Sequence, residues 1–122
     1  DKSSDLVLSA LVRGRFGELV AARVPHGNSD LFLLGLLSLI DVMLELRMED
    51  VLERISLDHD TRAVLLGEPS PLRPVFQLML AHESGNWNAA ADLCDSLHLD
   101  PDDVASYYWQ AQEWARELTL AQ

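Results

Sequence analysis

The sequence predicts an all-α fold, an irregular bundle of about six to seven helices around a central apolar helix. Three observations predict it. Apolar residues recur at helical spacing rather than in alternation. Helix start and stop signals return along the whole chain. Strand signals are nearly missing: glycine is sparse, and no Asn-Gly or Asp-Gly hairpin turn occurs.

The first helix is expected from a cap at Ser3, Ser4 or Asp5 to about Ala22, with Leu8, Leu11, Val12, Phe16, Leu19 and Val20 as its apolar set. Pro25, His26 and Gly27 end it. Asn28 or Ser29 then caps a second helix running to about Leu46. That helix is apolar nearly all round, and a helix without a polar face belongs at the centre of a bundle. Gly35 in its middle costs about 1 kcal/mol against alanine unless another backbone packs closely there.

A short helix, Met48 to Arg54, turns Val51, Leu52 and Ile55 inward. Asp58 caps the next, which ends at Leu66 with Gly67 as its left-handed terminator. Ser70 and Pro71 read as cap and first residue of a helix that stops at Gly85, with Pro74 tolerated in the first turn. Asn86 caps a helix expected to bury Trp87, Ala90, Ala91, Leu93, Cys94 and Leu97. Asp100-Pro101-Asp102-Asp103 combines a cap, a first-position proline and acids at the positive end of the helix dipole. Val104, Tyr107, Tyr108, Ala111, Trp114, Ala115 and Leu118 follow at helical spacing. Leu57-Asp58-His59-Asp60 resembles Leu99-Asp100-Pro101-Asp102 because both solve the same capping problem.

The length suits one domain, residues 1–122, and the first residue is Asp1 rather than Met, so a longer parent protein is expected. Cys94 is the single cysteine and cannot form an internal disulfide, which fits a reducing, cytoplasmic compartment. The stretch from Leu31 to Leu44 covers about 14 residues, short of the ~20 that span a bilayer. Net charge is −11, with nine Lys and Arg against twenty acids. Nucleic-acid binding relies on cations that neutralise phosphates, and an anionic membrane repels such a chain, so neither is expected as a partner. Residues 58–122 carry eleven of the acids and three of the bases. This asymmetry reads as a solvated surface, with a basic partner as the alternative.

Candidate chemistry is thin. His26, His59, His82 and His98 lie in different segments, and His82 and Glu83 point about 100° apart on a helix. Asp58-His59-Asp60 could present an acid and an imidazole together, but capping and the helix dipole account for both aspartates. Asp95, His98, Asp100, Asp102 and Asp103 read the same way, as an acidic turn. Cys94 lies among Ala91, Leu93 and Leu97 and reads as a small core residue rather than a nucleophile. No phosphate loop, dinucleotide fingerprint or G-x-S-x-G elbow occurs. No catalytic residue, metal ligand or cofactor is therefore assigned. Trp109 is expected to face outward as an interface anchor, because Tyr107, Tyr108 and Trp109 cannot share one face. Arg13, Arg15 and Glu18 on the first helix read as a solvated face, with contact to a preceding domain as the alternative that makes them candidate interaction residues; Arg15 and Glu18 stand three apart and can pair.

Four stretches carry a family resemblance. Phe32-Leu33-Leu34-Gly35-Leu36-Leu37-Ser38-Leu39-Ile40-Asp41-Val42-Met43-Leu44 resembles the core helix of the HDOD domain, the HD-related output domain, in the version that follows an EAL domain. Leu11-Val12-Arg13-Gly14-Arg15-Phe16-Gly17-Glu18-Leu19 is similar to the helix before it, and Met48-Glu49-Asp50-Val51-Leu52 to the short helix after it. The run from Leu78 through His82-Glu83-Ser84-Gly85-Asn86-Trp87 resembles that family's His/Tyr-Glu-x-Gly-x-Trp turn. The resemblance covers the C-terminal part of an HDOD domain. It implies an HD-like helical fold, with Ser38 and Leu39 where HD phosphohydrolases carry their His-Asp metal-binding doublet. Neither residue replaces those ligands.

The expected function is thus a non-catalytic regulatory or protein-interaction domain of bacterial signalling. In its parent it is expected beside a cyclic di-GMP module, the EAL domain. Its partner is expected to be another protein, a neighbouring domain of the same chain, or a second copy. One alternative is a residual metal-dependent HD-type phosphohydrolase built on Asp41, Asp58 and His59; another is a helical-repeat scaffold around Trp87 and Trp114.

Overall fold

The computed structural model describes residues 2–25 and 30–120. Among these residues lie eight helices and no strand: α1 (Lys2–Ala21), α2 (Asp30–Leu37), α3 (Ile40–Leu44), α4 (Met48–Leu52), α5 (His59–Leu65), α6 (Arg73–Ser84), α7 (Trp87–Leu97) and α8 (Pro101–Leu120). His26 and the expected cap at Asn28 or Ser29 lie outside the described residues.

The long helix α1 packs against α2, α6 and α8, while α2 also meets α5 and α7 bridges α6 to α8. Phe16 and Val20 of α1, Leu31 and Leu34 of α2, Val75, Leu78 and Met79 of α6, and Val104, Ala111 and Ala115 of α8 form the core with Cys94 of α7. Removing Phe16 from water contributes about 2–3 kcal/mol by area. The α1–α2 contact is made by backbone. A methyl group on Gly35 would fall onto the Arg13 carbonyl group, and one on Gly17 would stand 2.5 Å from the Leu31 carbonyl oxygen. Gly35 is therefore kept despite its helix propensity, because only a bare Cα admits the neighbouring chain.

Local sequence sets most boundaries. Asp58 accepts the Thr61 N–H at 2.8 Å and the Thr61 hydroxyl at 3.1 Å. Asn86 accepts the Ala89 N–H at 3.1 Å, and Asp100 accepts the Asp102 N–H at 2.8 Å. Gly85 ends α6 at φ +72°, and Gly67 takes φ +79° after α5. Both angles are left-handed and favour glycine.

Four expectations are corrected. The apolar helix does not run unbroken to Leu46. It ends at Leu37 and restarts at Ile40, which is the origin of the eighth helix. Ser38 folds back, its N–H and its hydroxyl both donating to the Gly35 carbonyl at 3.3 and 2.6 Å, a side-chain competition that ends helices. Beyond the break the central position is lost: α3 has no buried residue, and Val42, Leu44 and Leu46 are exposed. The short helix after it ends at Leu52 rather than Arg54, closing in a tight turn at Glu53.

The helix expected from Pro71 begins at Arg73. Ser70 accepts the Leu72 N–H and donates to the Asp60 carbonyl at 2.8 Å, so it ties the turn to α5 instead of capping α6. Pro74 still lies in the first turn. On α7 the buried stripe is narrower than expected, with Ala90 and Cys94 inside and Leu93 and Leu97 half-buried. Trp87 and Ala91 are exposed, because α7 is covered along the stripe facing α6 and α8. No described helix is long and apolar enough to cross a membrane.

Candidate functional site

Three of the four family-like stretches meet at one joint. Arg13 on α1 points inward rather than along a solvated face, its side chain only 11% exposed. Its Nε and Nη2 donate to the two carboxylate oxygens of Glu83, each at 2.7 Å. Its Nη1 donates to the Ser38 hydroxyl at 3.0 Å. One guanidinium thus ties α1 to the last turn of α6 and to the break between α2 and α3. The paired fork matches a carboxylate as no ammonium could.

Beside the ion pair lies an aromatic cluster. The His82 ring is buried 5.8 Å from Phe16, 5.4 Å from Tyr108 and 5.5 Å from Trp87, centroid to centroid. Phe16 and Tyr108 meet edge-on at 5.6 Å. Burial holds the His82 imidazole below its ordinary pKa, so the neutral ring is favoured. Burial also raises the Tyr108 phenol, as does the Glu83 carboxylate, against the opposing pull of Arg13. The run His82-Glu83-Ser84-Gly85-Asn86-Trp87 therefore has a physical reading, residue by residue. His82 stacks, Glu83 anchors Arg13, Gly85 ends α6, Asn86 starts α7 and Trp87 lids the histidine. The sequence signalled this joint through that run, but nothing local identified Arg13 as its partner.

The metal-like candidates do not gather. Among the described residues no three His, Cys, Asp or Glu side chains stand close enough to share an ion. Asp58 is committed to Thr61, and its own N–H donates to Asp30. Burial pushes its carboxyl upward, but hydrogen bonds from Thr61, Asp30 and the Asp60 backbone outweigh that and leave it below 3.8. His59 is exposed and Asp41 stands on α3. His98 ends α7 in a left-handed conformation at φ +58°. Ser38 is a hydrogen-bond acceptor for Arg13, and Leu39 precedes α3. Cys94 is buried, and burial with nearby Asp100 raises its thiol pKa.

The candidate interaction residues separate. Trp109 faces outward, 62% exposed, and Trp87 is exposed to the same degree. Arg15 pairs with Glu18 on the α1 surface, and its guanidinium lies 5.9 Å from the Trp114 ring. Trp114 in turn meets Phe32 edge-on at 6.2 Å.

The chain is similar to two bacterial proteins. It is 26% identical over 119 residues to CdgJ of Vibrio cholerae, described as a cyclic di-GMP phosphodiesterase; the match covers 96% of this chain and 28% of CdgJ. It is 26% identical over 115 residues to YuxH of Bacillus subtilis, described as an uncharacterized protein, covering 93% of this chain and 28% of YuxH. The chain thus spans little more than a quarter of the length of these relatives. No family model matches it, and no solved structure matches it significantly.

Proposed function

We propose that this chain is a non-catalytic regulatory domain of the HDOD type, acting by protein contact in cyclic di-GMP signalling in the cytoplasm. The carrying observation is the Arg13–Glu83–Ser38 joint. At the positions where the family resemblance implies a metal doublet, this chain places a serine that takes a hydrogen bond from an internal cation. Ser38 is uncharged, and its hydroxyl is already engaged by the Arg13 guanidinium and the Gly35 carbonyl, which makes it a poor ligand for a divalent ion. The similarity to CdgJ over nearly the whole chain supports the link to cyclic di-GMP. The exposed Trp109 supports a contact role, since large aromatic residues anchor interfaces.

The test is turnover. The purified chain, given Mg²⁺ or Mn²⁺, should hydrolyse neither cyclic di-GMP nor simple phosphate esters. Metal-dependent hydrolysis that disappears in Asp58→Ala or His59→Ala would instead favour the phosphohydrolase reading. The regulatory half is tested by transplant. Replacing the matching segment of CdgJ with this chain should preserve phosphodiesterase activity that responds to Trp109→Ala. A hybrid indifferent to that change argues against contact through α8.

A further inference from the structure

We infer that the groove between α6 and α7 is a docking site for a cationic amphipathic helix of a partner protein. This deepens the reading of the chain as an interaction domain and rests on it. The groove has a volume of about 470 Å³ and an apolar floor of Leu80 and Ala81 from α6 and Ala89 and Leu93 from α7. Gln77, Ser84, Asn86 and Asp92 form its polar walls, with Asp92 their one charge. Leu80 and Ala81 are consecutive on α6 and border the trough from neighbouring directions, while Ala89 and Leu93 stand four apart and share one face of α7. A partner helix with apolar residues at i, i+3, i+4 and i+7 fits such a trough. At about 1.5 Å per residue, the lining from Asn86 to Leu93 gives a trough about 11 Å long, roughly two turns.

Charge identifies the occupant. From Pro74 to Ala115 the chain has no Lys or Arg, yet it carries Glu83, Asp92, Asp95, Asp100, Asp102, Asp103 and Glu113. Of these, Glu83 pairs with Arg13 and Glu113 with Arg116; Asp92 and Asp95, both exposed on α7, form no ion pair among the described residues. A groove with an apolar floor and an uncompensated acidic flank attracts a Lys- or Arg-rich amphipathic segment and disfavours an acidic one.

The test titrates the chain with a synthetic three-turn Lys/Leu helix and with its Glu/Leu counterpart, following backbone amide shifts. The Lys/Leu peptide is expected to bind, with shifts centred on Leu80, Ala89 and Leu93, and the Glu/Leu peptide to bind at least tenfold more weakly. Asp92→Lys with Asp95→Lys alters only exposed residues and should weaken binding tenfold or more with unchanged circular dichroism. Ala89→Trp, which fills the groove without changing charge, should do the same. Equal binding of both peptides, shifts mapping to another face, or indifference to both variants would overturn the groove assignment. Saturable binding mapped elsewhere would leave the interaction-domain reading standing, whereas metal-dependent hydrolysis would remove that reading itself.

Discussion

Arg13 and Glu83 lie seventy positions apart in sequence and close a two-pronged ion pair at 2.7 Å on both prongs. Glu83 is a third exposed while Arg13 is nearly enclosed, so the two halves of the pair are not equivalent. Glu83→Ala would leave a guanidinium short of acceptors inside the fold. Stripping one partner from a buried pair costs about 3–5 kcal/mol, and the partial exposure of Glu83 reduces this to about 2 kcal/mol. Arg13→Lys should also destabilise, since an ammonium cannot span both carboxylate oxygens and Ser38. Urea unfolding with an unchanged m-value measures both; equal stability of Arg13→Lys and wild type would show that the fork geometry is unimportant.

The α1–α2 contact predicts a reversal of helix propensity. Gly35→Ala should gain about 1 kcal/mol from propensity alone. The added methyl meets the Arg13 backbone, which cannot swing aside, and overpacking costs about 1–3 kcal/mol or more. With the clash against main-chain atoms the upper end of that cost applies, and the variant should be net less stable by about 2 kcal/mol. Gly14→Ala, whose methyl would sit 3.0 Å from the Phe32 carbonyl oxygen, should be milder. Thermal melts of the pair check the order.

His82 predicts a pH dependence. Its pKa in the fold lies below the ordinary 6.5, so the unfolded chain binds the proton more readily than the native one. Stability is therefore fully present above about pH 6.5 and falls as pH drops toward the lowered native value. His82→Gln should flatten that segment of the stability curve, at the expense of some packing. A wild-type curve flat between pH 7 and 5 would contradict the inferred burial.

Asp58 predicts a stability effect independent of metal. Losing its hydrogen bonds to Thr61 should cost about 1–2 kcal/mol. Because its carboxyl is held below 3.8, its contribution is present above that value and lost as pH falls below it. Melting in the presence of a chelator should match melting without one, for both wild type and Asp58→Ala. A chelator-sensitive wild type would reopen the ligand role of this residue.

Helix ends were legible wherever one residue decides them: Asp58, Gly85, Asn86 and Asp100 all act as their chemistry predicts. Gly35 was legible too, as a position that makes sense only beside another backbone. The break at Ser38 was not. No proline or glycine marks it, and the serine is held by Arg13 from twenty-five positions away. Arg13 reads from sequence as part of a solvated face, because sequence shows a residue's type but not its distant partner. Trp87 falls on the apolar spacing yet is exposed, because helical spacing groups residues on a face without saying how wide a stripe the neighbours cover.

The glycine contact also governs how α1 and α2 respond to force. Where helices are cushioned by long side chains, a small push on one is absorbed by rotamer adjustment. At Gly17 and Gly35 there is no cushion, since each bare Cα lies against the opposite main chain. A displacement of α1 must therefore carry α2 with it, and through α2 the kink at Ser38. Close main-chain contact thus makes the two helices one stiff unit, fastened to α6 where Arg13 grips Glu83.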